Sequence, residues 1–401
     1  MRAAARYFAA VAEYPRLLWL LGLGAFLNVV GLSFIWPITT LYIHEHLGRP
    51  LTVAGWVLLL HSGGAAVGSL LGGYLFDRVG ARRVMLLGLA CSAVLIALPG
   101  LFTSWPLFVT VMVLYGVTAT LVFPAMNALG ARAWPAGGRR AFNFIYVAHN
   151  MGVAVGTALG GLLAQHSFQL AFLSASVMCV VFAVFVFFTI RDGGAAATAG
   201  RQTAAATEAA VGTVPWLPVG ALFVGFLMCW LIYVQWQSAI AVHMMGLGYS
   251  LSAYSLLWTL NGLVIVAGQP LVALALRFIR GTMAQLLTGI LLFAGSFLLL
   301  LSSASYGVFV AGMVILTLGE MFLWPGIPAA VDQVAPPARR GFLQGIIGSA
   351  ATAGRMLGPL VGGVIFDHMG YRPLLITVTA LLIIPALSFA GYGALTRPKI
   401  R

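Results

Sequence analysis

The sequence predicts an all-α integral membrane protein, twelve transmembrane helices arranged as two pseudo-symmetric six-helix bundles. Three observations carry this. The 401 residues are 61% hydrophobic and only 7% charged, whereas charged residues make up about a quarter of a soluble globular domain. The apolar residues recur in runs long enough to cross a hydrocarbon core, which takes about 20 helical residues. The two halves of the chain also repeat one another.

The runs follow in order. The first, 17–42, begins after Arg16 and ends before His44-Glu45-His46, and the second, 52–76, stops at Asp77. The third and fourth, 84–102 and 107–131, lie between Arg83 and the arginines that start at Arg132. The fifth and sixth, 141–165 and 168–190, lie between Arg140 and Arg191. Residues 191–215, rich in Ala, Gly and Thr, read as a cytoplasmic linker between an N-terminal bundle, 1–190, and a C-terminal bundle, 216–401. In the second bundle the spans are 216–242, 251–276, 283–302, 307–332, 341–366 and 373–394. Loops this short leave no room for a soluble catalytic domain.

The net charge of +13 raises the question of nucleic acid, and the position of the bases answers it. All 21 bases except Arg49, Arg355 and Arg372 fall before the first span, in alternate loops or after the last. By the positive-inside rule that side is cytoplasmic, so both termini are expected inside the cell in a multi-pass protein of the cytoplasmic (inner) membrane, with no nucleic-acid partner. The first run is span-length and lacks a small-residue cleavage site, so it reads as a helix rather than a signal peptide. Cys91, Cys179 and Cys229 stand apart inside apolar runs and read as buried thiols.

A shift of about 200 residues superimposes the halves, the signature of an internal repeat. Trp36 falls on Trp236, His61 on Asn261, Pro124 on Pro325, and Gly152, Gly156, Gly160 and Gly161 fall on Gly354, Gly358, Gly362 and Gly363. Six helices per half make the repeat parallel, which implies two bundles about an axis along the membrane normal and a site near the midplane.

Between the second and third spans runs Gly73-Tyr-Leu-Phe-Asp77-Arg78-Val-Gly80-Ala-Arg82-Arg83. It resembles the signature loop of the major facilitator superfamily. The physical elements are a two-glycine turn, an acid at a helix end and bases to hold it. The resemblance implies a conformational latch formed by Gly73, Asp77, Arg78, Gly80 and Arg82; the counterpart around Arg277 and Arg280 lacks the acid. The eleventh span carries Gly354-x3-Gly358-Pro359-x2-Gly362-Gly363, similar to the glycine-proline pattern of antiporters in that family, with Thr157 in place of the proline in the first half. Glycines at this spacing permit close helix packing.

Ionisable groups inside spans are the sharpest functional signal, since each costs roughly 2.5–3.5 kcal/mol at mid-bilayer. Glu320 and Arg355 lie at similar depth in the tenth and eleventh spans and could pair, either as an inert buried ion pair or as the proton-coupling site. His61 and His149 are candidates for hydrogen-bonded packing or a proton path. His44-Glu45-His46 lacks the i, i+4 spacing of a zinc helix, so no metal is expected.

The tenth-span sequence Thr317-Leu-Gly-Glu320, with Pro325 and a base in the eleventh helix, resembles the twelve-helix multidrug/proton antiporters of the LmrP type. Near Gly130 and Gln237, where that group carries membrane acids, this chain is neutral, which leaves one central acid. The resemblance implies a cavity lined by the first, fourth, seventh and tenth helices, bearing Asn28, Trp36, Tyr115, Tyr233, Trp236, Gln237 and Trp324. Aromatic groups with few polar ones suit an amphipathic, aromatic or cationic substrate. The expected function is proton-coupled efflux by alternating access in a monomer, driven by the proton gradient with no cofactor. A lipid or lipid-linked substrate and a transport-dead receptor are the alternatives. With no Gly-x-Ser-x-Gly, phosphate loop or ligand cluster, an enzyme is not expected.

Overall fold

The computed structural model describes residues 14–36, 38–123, 125–126, 129, 139–190, 214–279, 281–336 and 339–396. Most of the linker read at 191–215 lies outside the described residues. Among those described, every regular element is helical. Each predicted span coincides with a helix: α1 (Arg16–Ser33), α2 (Leu51–Val79), α3 (Ala81–Leu101), α4 (Trp105–Thr120), α5 (Arg139–His166) and α6 (Phe168–Thr189), then α7 (Trp216–Tyr233), α8 (Leu251–Ala267), α9 (Thr282–Leu300), α10 (Tyr306–Val334), α11 (Arg340–Met369) and α12 (Tyr371–Leu381). Nine described helical segments are long and apolar enough to cross a membrane unaided, and α8 with Gln269–Phe278 makes a tenth, bent by 57°. α4 is short of span length as described. α11 is diluted by glycines and Arg355.

Four spans are broken. The first continues after a turn as Thr39–Leu41 and a π-helical turn, Tyr42–His46. The seventh passes into a 3₁₀ turn, Val234–Trp236, before resuming at Ala239–Gly246, and the Ser238 hydroxyl donates to Val234 O at 3.1 Å across the break. The eighth bends at Gly268, where Pro270 withdraws a backbone donor from the next turn. The twelfth breaks at Leu382 and continues as Ile383–Thr396.

By internal contacts the chain forms two compact units, Met1–Trp36 with Gly63–Ala197, and Pro37–Ser62 with Thr198–Arg401. Residues 37–62, which the repeat assigns to the N-terminal bundle, thus group with the second unit. Polar contacts join this segment to α11. The Asp367 carboxylate accepts from Leu51 N at 3.2 Å, Thr52 N at 2.7 Å and Thr52 Oγ1 at 2.6 Å, so an acid 315 residues away caps the start of α2.

Within each unit the helices pair alike. α1 packs on α5 and α6, and α3 on α4 and α6; α7 packs on α11 and the second half of span twelve, and α9 on α10 and that same segment. The repeat read from the sequence is therefore repeated packing. Its glycines explain the closest pairs. A Cβ at Gly152 would lie 2.9 Å from Phe26 O, and one at Gly156 2.7 Å from Val30 O, so α5 rests on the α1 backbone. In the second unit a Cβ at Gly354 would lie 2.7 Å from Trp230 Cβ, and one at Gly358 2.8 Å from Leu231 O. Gly362 makes room for the Gln235 side chain, and Gly363 for Leu51 O at 2.7 Å. Pro359 lies inside α11, in the glycine row.

The loop after α2 differs from the expected two-glycine turn. Gly80 turns, with φ at 90°, and its repeat counterpart Gly281 has φ at 89°. Gly73 lies within α2 with open space around it, so one glycine makes the reversal. Arg78 stacks over Tyr74, 4.5 Å from the ring centroid. Arg82 donates to Phe187 O at 2.8 Å and lies 4.4 Å over the Phe187 ring, tying the start of α3 to the end of α6. The Asp77 side chain lies outside the described residues.

Candidate functional site

α10 carries Glu320 fourteen residues from Tyr306 at one end and fourteen from Val334 at the other, at mid-span. Its carboxyl is 2% exposed. A buried carboxylate needs donors, and the neighbouring helix supplies one: Asn261 of α8 donates from Nδ2 to Glu320 Oε1 at 2.7 Å. The same nitrogen donates to Thr317 Oγ1 at 3.0 Å, and Thr317 in turn donates to Met313 O at 2.7 Å. Both amide hydrogens of Asn261 are therefore committed, which fixes its orientation. The Tyr233 hydroxyl and the Trp324 indole also hydrogen-bond the carboxyl.

These donors belong to an aromatic cluster. Trp230 and Trp324 stack in parallel at 4.5 Å and 2°, and Tyr233 meets both edge-on at 5.3 and 5.5 Å. Phe226, Trp258 and Phe293 close the cluster from α7, α8 and α9. Helical spacing on α7 places Phe226, Trp230 and Tyr233 on one face. Glu320 thus fastens Trp324, and through it the indole pair, by a hydrogen bond from within the protein.

Arg355 corrects the sequence expectation of an ion pair. Among the described residues no carboxylate lies within ion-pair distance of its guanidinium. That group sits over Trp230, 4.7 Å from the ring centroid. Trp324 occupies one face of Trp230, so Arg355 takes the other. Glu320 is already provided with donors inside the bundle, and the indole pair separates the two charges. Arg355 is exposed although it lies mid-helix.

The other predicted residues divide. Tyr233 and Trp324 join the cluster. Trp236 does not: it is fully buried at 0% exposure, its carbonyl accepts from Tyr254 Oη at 3.2 Å, and its ring lies 3.3 Å from a Cβ placed at Gly312. In the 3₁₀ turn it is enclosed in the core. Gln237, half-buried, follows the same turn. In the first unit Asn28 and Tyr115 line one small crevice with Leu27, Ser92 and Met178, and Trp36 donates to Ser33 Oγ at 3.3 Å. His61 is half-buried and His149 exposed. His44 Nδ1 contacts Arg49 O at 2.9 Å, and His46 stacks on Tyr42 at 5.1 Å, so the two rings are engaged separately.

Sequence reasoning missed Trp230, Asn261 and Gln235. A polar residue at mid-span was the available signal for Asn261. Gln235 Nε2 donates to Leu231 O at 2.9 Å and to Gly358 O at 2.8 Å, pinning the break in the seventh span to α11.

Comparison with known proteins adds four findings. A family model described as Major Facilitator Superfamily matches residues 21–287 and 239–401. The chain is 44% identical over 376 residues to an uncharacterized MFS-type transporter, YttB, of Bacillus subtilis (strain 168), covering 92% of this chain and 93% of that one. It is 23% identical over 373 residues to Multidrug resistance protein 1 of the same organism, covering 91% and 93%. Among solved structures, a POT family transporter in complex with 5-aminolevulinic acid superimposes with a TM-score of 0.78 at 14% identity, covering 96% of this chain and 97% of that one, a likeness of fold.

Proposed function

Because the chain belongs to the Major Facilitator Superfamily, and is therefore a multi-pass membrane transporter, we propose that it exports amphipathic aromatic compounds in exchange for protons. It does so by alternating access in the cytoplasmic membrane, with both termini inside. The observation that carries this reading is the carboxyl of Glu320, buried at mid-span and bonded to the residues that hold an aromatic surface in place.

The ionised carboxylate accepts from Asn261, Tyr233 and Trp324 together, and so orders the Trp230–Trp324 pair for a planar substrate. A proton taken up from the acidic outer side turns one carboxyl oxygen into a donor. Three donors then compete for less acceptor capacity, the indoles loosen, and substrate leaves. Return to the inner side releases the proton and restores the surface. Substrate and proton are thus favoured by opposite states of one side chain, which is the requirement for exchange. The similarity to Multidrug resistance protein 1 supports export of drug-like compounds.

The test is transport in reconstituted vesicles with an imposed pH gradient. Glu320→Gln fixes a neutral group of the same shape. It should abolish uphill export of an aromatic dye and leave downhill exchange. Uphill export by the Gln variant would overturn the proposal.

A further inference from the structure

The residue that the exchange cycle leaves without a task is Arg355, and resting on that cycle for the site itself, we infer that Arg355 is the counter-ion for an anionic group, a carboxylate or similar oxyanion, on the transported aromatic compound. A guanidinium held at mid-membrane is costly and is expected to face protein or water rather than lipid. This one is exposed, and among the described residues its guanidinium rests on the Trp230 ring.

The acids of α10 and α11 are engaged elsewhere. Glu320 is bonded inside the bundle by Asn261. Asp332, on the last turn of α10, accepts from Gln344 Nε2 at 3.1 Å, and Asp367, on the last turn of α11, is held by Leu51 and Thr52. Among the described residues the site therefore has a surplus of donors. Trp230 adds to it, because its indole N–H is buried without an acceptor.

The shape of the surplus specifies the ligand. A guanidinium resting on an aromatic ring keeps the N–H donors along its edge for a planar acceptor, which a carboxylate matches with two parallel bonds. Trp230 itself is covered on both faces, by Trp324 and by the guanidinium, so an aromatic ligand meets the edge of this stack. A flat ring bearing an oxyanion satisfies both features at once. A cationic substrate, by contrast, would approach an uncompensated positive charge.

The test uses three probes of equal ring area and different charge: 2-naphthoate, 2-naphthamide and N-methylquinolinium. Binding to the purified full-length protein is followed by tryptophan fluorescence. The wild type should bind naphthoate about tenfold more tightly than naphthamide, the scale of one charge-assisted hydrogen bond, with the quinolinium weakest. Arg355→Gln should remove the preference for naphthoate and leave naphthamide binding unchanged, which also shows that the site is intact. Arg355→Lys should retain part of the preference. Preference for the quinolinium, an undiminished naphthoate preference in the Gln variant, or binding of none of the three would overturn the inference. In proteoliposomes, Arg355-dependent movement of labelled phosphatidylglycerol that naphthoate does not inhibit would assign the anion to a lipid headgroup and overturn it as well. The two readings fail separately. Loss of proton-driven uphill transport for every probe, with Arg355-dependent anion binding intact, refutes the exchange cycle alone. Uphill transport that depends on Glu320 but not on Arg355 refutes the counter-ion alone.

Discussion

One helix contains two glycines whose replacement should have opposite effects. At Gly354 a methyl group would lie 2.7 Å from Trp230 Cβ and 3.0 Å from Leu231 N. The added carbon falls closer still to the backbone oxygen of Leu227, and since carbon pairs rest at about 3.5–4.0 Å, moving Trp230 alone does not relieve the clash and α7 and α11 must part. Overpacking of this kind costs about 1–3 kcal/mol. At Gly348, six residues earlier on α11, nothing lies within 4 Å of the added atom. Alanine there only lowers the backbone entropy of the unfolded chain and should stabilise by roughly 0.5–1 kcal/mol. Gly354→Ala should therefore lower thermal stability in detergent and, because Trp230 carries both Trp324 and Arg355, weaken binding of an aromatic probe. Gly348→Ala should raise stability or leave it unchanged, with binding intact. Differential thermostability with a tryptophan-fluorescence titration reads both quantities. Equal effects at the two positions would refute the claim that Gly354 is needed for the close contact of α11 with α7 at Trp230.

Three further outcomes follow from placement. Trp230→Ala should weaken aromatic binding by about 0.5–1.5 kcal/mol, the range of an aromatic pair. Trp236→Phe should leave affinity within twofold and lower stability, since Trp236 is wholly enclosed; a large affinity loss in the second variant would return Trp236 to the binding surface. Asp367→Asn should weaken the cap on α2, an interaction of about 0.3–2 kcal/mol. Hydrogen exchange at Leu51 and Thr52 should then accelerate, and unchanged protection at those amides would remove the cap from the account.

The twelve helices were legible because hydropathy and the alternation of arginines are properties of the chain itself, independent of packing. The repeat was legible for a related reason: glycines such as Gly152 and Gly354 mark helix contacts wherever they recur. The site was only half legible. Glu320 stood out as an acid at mid-span. Its donors did not, because Asn261 is ordinary in sequence and becomes informative only when α8 lies against α10. Trp236 misled for the converse reason. The resemblance placed it on a cavity-lining helix, but the 3₁₀ turn at Val234–Trp236 takes that stretch off the α-helical course and Trp236 is enclosed. The expected Glu320–Arg355 pair failed because equal depth on neighbouring helices fixes height and not azimuth, and the indoles of Trp230 and Trp324 occupy the space between.

The central claim is that one carboxyl links proton and substrate. The most direct measurement is proton movement itself, recorded by a pH-sensitive dye trapped in proteoliposomes without an imposed gradient, when an aromatic substrate gradient is applied. The account predicts a substrate-driven pH change opposite in direction to substrate flow in the wild type. In Glu320→Gln the pH change should be absent while substrate exchange continues. Proton movement of equal size in the Gln variant would contradict it.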